Sequence, residues 1–395
     1  MIKEPFMKKL TYLLFIMPLF LVACMSPPVP DVEQAIQEAD PNTIIPLSSE
    51  ATDGYFHTAL PVESSPTRGL ILSHIRNRAD MEQIEMSLMR LATDVFDPDE
   101  FFVREGQYLS RSFVSNVLRA HNSEPDDFDR ESAIGLNPPL GSSHTFGNTT
   151  VESLPEDMVR PFIHVLEHNF VTISDNEFQL EGVAIAIALN PYHWQRDENI
   201  GFESELRMSD AEILSIGEDI AADLLPLLRE QEGLENVPIF LGLFILKSER
   251  EVIPGHFARV TYVEEGRSSI GSWEAVQERH FRLPDPTNGI HTYDVNITDE
   301  FNTFSNTITN HFPHRYGLVS RVHIVDGNVY RVLIDFNMNF LGLSEKIAFH
   351  QLLEQEVMNF SPEYDIRIIV RSPDEQHGAV VRPPGGEASV HRISW

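Results

Sequence analysis

The one cysteine of the chain, Cys24, stands where its thiol has a defined chemistry. Lys8 and Lys9 precede an apolar stretch, Leu10 to Ala23, that closes on Leu21-Val22-Ala23-Cys24. A branched apolar residue at −3, a small residue at −1 and then cysteine is the pattern of a bacterial lipobox. There the thiol takes a diacylglyceryl group, and the signal peptidase recognises Leu21, Val22 and Ala23 and cuts before Cys24. The apolar stretch is too short for a spanning helix, which needs about 20 residues. Two acyl chains suffice for stable anchoring, at about 0.8 kcal/mol per buried methylene. The expected location is the outer face of the cytoplasmic membrane, with that membrane and the lipoprotein-processing enzymes as partners. The alternative is a secretory signal that ends near a cysteine by chance. Met1 and Met7 both remain open as the start. A single cysteine also excludes disulfides, Cys-ligated zinc and thiol catalysis elsewhere in the chain.

The other constellations fall short of a working site. Gly266-Arg267-Ser268-Ser269-Ile270 begins like a serine nucleophile elbow but puts Ile270 where the second glycine must permit the sharp turn. His311 and His314 have no accompanying Glu, and Pro313 between them breaks helical geometry. Asp127, Asp129 and Glu131 alternate like the start of a calcium loop, but Ser132 occupies the glycine position, so a solvated acidic loop is expected. No glycine-rich phosphate cradle occurs. The expectation is therefore no catalytic residue, no cofactor and no metal.

The 395 residues carry 29 Lys+Arg against 60 Asp+Glu, a net charge of −31, which repels nucleic acid and anionic headgroups. With 42% hydrophobic residues the chain is globular, and its length points to two domains. Pro27, Pro28, Pro30, Pro41 and Pro46 among acidic residues mark residues 24–53 as a tether behind the signal at 1–23.

Beyond the tether, an α+β fold of two tandem related domains is expected, at 54–275 and 276–395. In the second half a helix runs from Asp299 to Asn310, strands Val319 to Val325 and Val329 to Asn337 flank an Asp326-Gly327 turn, and a helix runs from Ser344 to about Met358. Strands Tyr364 to Arg371 and Ala388 to Trp395 follow. The first half repeats the order. Ser153 and Glu156 read as a capping box for a helix to Glu167, strands Val171 to Ile173 and Phe178 to Ala188 flank Asp175-Asn176, and Ser209 with Glu212 caps a second helix. Strands Ile239 to Lys247 and His256 to Val263 close it, and about 16 extra residues sit around Pro191 to Met208. The halves end alike, in Ile270-Gly271-Ser272-Trp273 and Arg392-Ile393-Ser394-Trp395. An N-terminal extra region enlarges the first domain, with Met81, Ile84, Leu88 and Leu91 at helical spacing, a helix from Ser110 to Ala120, and strands Tyr55 to Leu60 and Glu100 to Arg104. Ala133 to Ser153 lacks periodicity and reads equally as a binding loop or an ordered crossover.

Arg68-Gly69-Leu70-Ile71, Asn77-Arg78-Ala79-Asp80, Ile84-Glu85-Met86, Leu88-Met89-Arg90-Leu91, Glu105-Gly106-Gln107-Tyr108-Leu109 and Gly135-Leu136-Asn137-Pro138 together resemble the CamS family of sex-pheromone lipoproteins of Gram-positive bacteria. The resemblance spans nearly the whole mature chain. It implies a lipid-anchored protein of tandem α+β domains whose signal sequence releases a short pheromone peptide; here that peptide would be Met17-Pro18-Leu19-Phe20-Leu21-Val22-Ala23. It implies no catalytic residue, and the quoted motifs also suit structural roles, with Arg78 and Asp80 as a loop and N-cap pair and Gly106 as a turn glycine.

The leading expectation is a non-enzymatic binding body for an unknown extracytoplasmic ligand or protein. The alternative is an extracytoplasmic hydrolase acting on envelope material through Asp, Glu or His. A cleft with convergent carboxylates of shifted pKa would favour that enzyme. A solute receptor of transporter type would need alternating βαβ units instead of hairpins with single helices.

Overall fold

The computed structural model describes residues 44–47, 56–121, 135–196, 203–287, 289–313, 316–340 and 342–392. Cys24, the lipobox, the Met17 to Ala23 segment, the Asp127 to Glu131 loop, His314 and the terminal Ile393-Ser394-Trp395 lie outside them.

The chain opens with β1 (Ile45–Leu47), β2 (Thr58–Leu60), α1 (Arg68–His74), α2 (Arg78–Ala92), β3 (Phe102–Glu105) and α3 (Arg111–Val117). A short hairpin, β4 (Ser143–Phe146) and β5 (Thr149–Glu152), leads into a long one, β6 (Phe162–Ser174) and β7 (Glu177–Leu189). Then come β8 (Tyr192–Arg196), β9 (Glu203–Arg207), α4 (Asp210–Arg229), β10 (Ile239–Ile245), β11 (His256–Val263) and β12 (Glu274–Ala275). The remainder is β13 (Glu278–Leu283), α5 (Ile297–His311), β14 (Tyr316–Val325), β15 (Asn328–Met338), α6 (Leu343–Glu356), β16 (Asp365–Arg371), β17 (Gln376–Arg382) and β18 (Ser389–Arg392).

Two six-stranded sheets result, in the orders β12-β11-β10-β7-β6-β3 and β13-β14-β15-β16-β17-β18. Each holds one parallel pair, β7 with β10 and β15 with β16, and all its other pairs are antiparallel. A parallel pair needs a crossover, and α4 and α6 supply it. The hairpin turns bend through left-handed residues, Asp175 and Asn176 at φ 52° and 62° in one sheet and Asp326 and Gly327 at 50° and 80° in the other. That geometry matches strand twist.

The first sheet is covered on both faces, because successive side chains point opposite ways. Val183, Ile185, Ile187 and Leu189 of β7 pack with Ile213, Ile220 and Leu224 of α4. The intervening Ala184, Ala186 and Ala188 face Ile84, Leu88 and Leu91 of α2. The second sheet packs one face on Phe301 and Phe304 of α5 and Phe349 and Leu353 of α6. Its other face carries ion pairs, Arg331 with Asp365 at 2.7 Å and Arg371 with Asp335 at 3.2 Å. No helix among the described residues is long and apolar enough to cross a membrane.

Several expected elements are corrected. Residues 153–161 are irregular, and the expected helix to Glu167 gives way to the start of β6. Pro161 would remove a helical hydrogen bond, and the residues after it are buried on both faces, which suits a central strand. The Ser153 hydroxyl accepts from Val159 N at 3.2 Å instead of capping a helix. Ser209 does cap α4, accepting from Glu212 N. Within the extra residues at Pro191 to Met208, the described parts pair as the antiparallel strands β8 and β9. Within Ala133 to Ser153, the described part is an ordered crossover: Asn137 bridges Ala120, and β4–β5 follows.

Candidate functional site

Four polar pins set the geometry of the first half. Asn77 caps α2 by accepting from Ala79 N, so the cap is Asn77 and not the expected Arg78 and Asp80 pair, and its amide donates to Ser248 O at 3.1 Å. Asp80, wholly buried, accepts from Lys247 N at 3.0 Å and from Gly255 N. Burial pushes its carboxyl from 3.8 up to about 7, against the pull of those two amides. Glu167 accepts from Tyr108 N at 3.1 Å, Leu109 N at 2.9 Å and the Asn169 amide at 2.5 Å, while burial raises its pKa. This is why residue 106 is glycine: a Cβ there would lie 2.4 Å from the Glu167 Cβ. At Gly135 a Cβ would lie 2.2 Å from the Ala120 carbonyl oxygen, and the neighbouring Asn137 donates to Leu118 O and Phe162 O. Three of the segments quoted for the resemblance thus hold backbone to backbone.

Other residues of those segments meet at a groove of about 420 Å³ between α1, α2 and β3. Ile71, Met86, Met89, Val103, Leu166 and Val62 give it apolar walls. Met86 and Val62 are 47% and 64% exposed, so the groove is open at its rim. Arg68 grips Glu105 through two hydrogen bonds, one of them at 2.8 Å, and Arg104 reaches Glu63 at 2.8 Å. Glu85 lines the groove with its pKa raised by burial, against the attraction of Arg68. At the floor, burial lowers His168 to about 4, and its Nδ1 has no hydrogen-bond partner. His164 is lowered to about 3 by burial and then by His74, whose Nδ1 lies 3.2 Å away.

His74 also lines a second cleft, of about 410 Å³, with Asp80, Asp157, His193, Trp194 and Glu205. There His193 Nε2 lies 3.3 Å from Asp157. The cleft is shaped by the β8–β9 pair and by Ser248, whose hydroxyl donates to Glu205 at 2.6 Å.

Where the sheets meet, Glu278, His280 and His323 place their ligand atoms within 4.8 Å of one another. Their alternation along β13 and the single His on β14 were the only sequence signal, and neither stands out in a chain with 16 histidines. Among the sequence candidates, His311 is exposed at the end of α5 with its Nδ1 on Thr307 O. Gly266 is a left-handed turn residue at φ 67°, with Arg267 N bonded to Glu264 O, and no elbow forms.

The family model described as the CamS sex pheromone cAM373 precursor matches residues 62–388. The chain belongs to the CamS family. Its fold is similar to the crystal structure of a sex pheromone precursor from Lactobacillus salivarius subsp. salivarius UCC118, with a TM-score of 0.75 at 19% identity over 89% of this chain and 99% of that one. It is also similar to the C-terminal domain of the sex pheromone staph-cAM373 precursor from Staphylococcus aureus, with a TM-score of 0.66 at 21% identity over 82% and 99%. No curated protein matches. CamS is a family of pheromone precursors and not a known enzyme family.

Proposed function

We propose that this CamS chain is the lipid-anchored body of an extracytoplasmic lipoprotein that binds an apolar ligand in the α1–α2–β3 groove without transforming it. The single observation that carries the reading is the groove itself. Its two methionines adapt to varied apolar shapes, and Glu85 and the His168 Nδ1 are left to orient a polar end. Three of the buried or groove-lining carboxylates serve the fold: Glu167 and Asp80 hold backbone amides, and Glu105 pairs with Arg68. Anchoring through diacylglyceryl-Cys24 rests on the lipobox, and release of Met17 to Ala23 as a pheromone-like peptide rests on membership of a precursor family. The matching strand order of the two sheets supports reading them as tandem related domains, 54–275 and 276–395.

The test is a titration of the full mature chain with a fluorescent apolar probe. Met89→Glu puts a charge on the groove wall, and one large apolar contact is worth about 1.5–3 kcal/mol, so affinity falls by roughly 10- to 100-fold. Equal affinity in the variant overturns the assignment. Conditioned medium, read by mass spectrometry, tests the peptide: no fragment ending at Ala23 from cells that process the precursor removes it from the account.

A further inference from the structure

The junction between the two sheets is built like a metal site. Glu278 begins β13 and is fully buried. Its Oε1 accepts from the Ser87 hydroxyl at 2.7 Å and lies 2.5 Å from His323 Nε2 and 3.4 Å from Gln83 Nε2, while Oε2 faces Phe257 N at 3.3 Å. Two residues on, His280 pairs directly with His323 across the β13–β14 ladder. The rings stack with centroids 4.2 Å apart and an interplanar angle of 16°. Both ring nitrogens of His280 are shut off from solvent and have no hydrogen-bond partner. A buried polar atom without a partner is costly, and a residue carrying two of them asks for an explanation.

We propose that Glu278, His280 and His323 bind one divalent transition-metal ion of the zinc class. Two imidazoles and one carboxylate are a donor set that zinc takes readily and that calcium or magnesium, which want oxygen alone, do not. Around a tetrahedral zinc with bonds of about 2.0–2.2 Å the ligand atoms stand roughly 3.3–3.5 Å apart, so a set already within 4.8 Å closes by side-chain rotation. Ser87 and Gln83 on α2 orient Glu278 from behind, as outer partners do in metal sites. The opposing charge is Arg90, whose Nη2 stands 3.5 Å from Glu278 Oε1. Neither its Nε nor its Nη2 holds a hydrogen bond, so this ion pair is what ties those two nitrogens to the site. The ion would join the second sheet to α2, which packs on the first.

The full mature chain, stripped of metal and dialysed against Zn²⁺ alone, should retain one zinc per chain after gel filtration, and Co²⁺ in its place should give the visible absorption of a four-coordinate site. His280→Ala and His323→Ala should each abolish retention, Ser87→Ala should weaken it 10- to 100-fold, and the exposed His311→Ala should leave it unchanged. Wild-type chain that retains no zinc, or His280→Ala that retains as much as wild type, overturns the proposal. X-ray absorption of the zinc-loaded wild type, which depends on no variant, should count two imidazoles at the metal; fewer than two also overturns it.

Discussion

Asp80→Asn should remove one carboxyl's share of the pH dependence of stability. In the folded chain Asp80 titrates at about 7, raised by burial from an ordinary 3.8. Between those values the folded state holds a proton that the unfolded state has released, so stability falls as pH rises through the window and levels off above about 7. Three units at 1.36 kcal/mol each make about 4 kcal/mol in full, of which about 3 kcal/mol lies between pH 5 and 8. The raw curve of the wild type hides this. His164, near 3, and His168 and His256, near 4, are held neutral by burial, and their contribution is lost as pH falls below about 6.5, the opposite slope in an overlapping window. The readout is therefore the difference between wild type and variant in urea unfolding at each pH. Asparagine cannot accept from both Lys247 N and Gly255 N, so the variant is weaker at pH 5 and the gap narrows by about 3 kcal/mol by pH 8. A gap that stays constant, or widens with pH, refutes the assignment of a neutral buried Asp80.

Gly106→Ala should cost about 1–3 kcal/mol or more in urea unfolding, because the new methyl meets the Glu167 side chain and opens its cradle of amides. Arg382→Ala should cost about 3 kcal/mol or more, since the buried guanidinium donates to the carbonyls of Val357, Phe360, Ser361 and Tyr364, and all four lose that donor together. Arg229, the last residue of α4, likewise clasps four carbonyls, those of Leu234, Val237, Glu264 and Arg267, and Arg229→Ala should behave alike. Cys24→Ala should accumulate as an unlipidated precursor by intact mass, whereas lipid mass on that variant would contradict the anchoring proposal.

The second half was legible because its signals are local. Asp326-Gly327 dictates its hairpin, and Phe349 and Leu353 lie a helical turn apart, so α6 declares its buried face. The first half misled where a local signal lost to packing. Ser153 and Glu156 have the spacing of a capping box, yet Pro161 and a strand buried on both faces decide the segment as β6. β13 was missed for the reverse reason: Glu278, His280 and Arg282 put polar residues on one face of the strand, and only the docking of α2 makes part of that face interior. The groove could not be read from spacing at all. Arg68, Glu85 and Glu105 belong to three separate segments, and they converge only because β3 pairs with β6 while α1 and α2 lie across it.

The central claim, an anchored body that binds an apolar ligand, is tested most directly by native mass spectrometry of wild-type and Met89→Glu chains gently extracted from producing cells. The account predicts that wild type carries a bound apolar molecule beyond the mass of the diacylglyceryl-Cys24 chain, and that the variant, equally folded and lipidated, does not. Wild type without any such molecule, or the same molecule held equally by the variant, would contradict it.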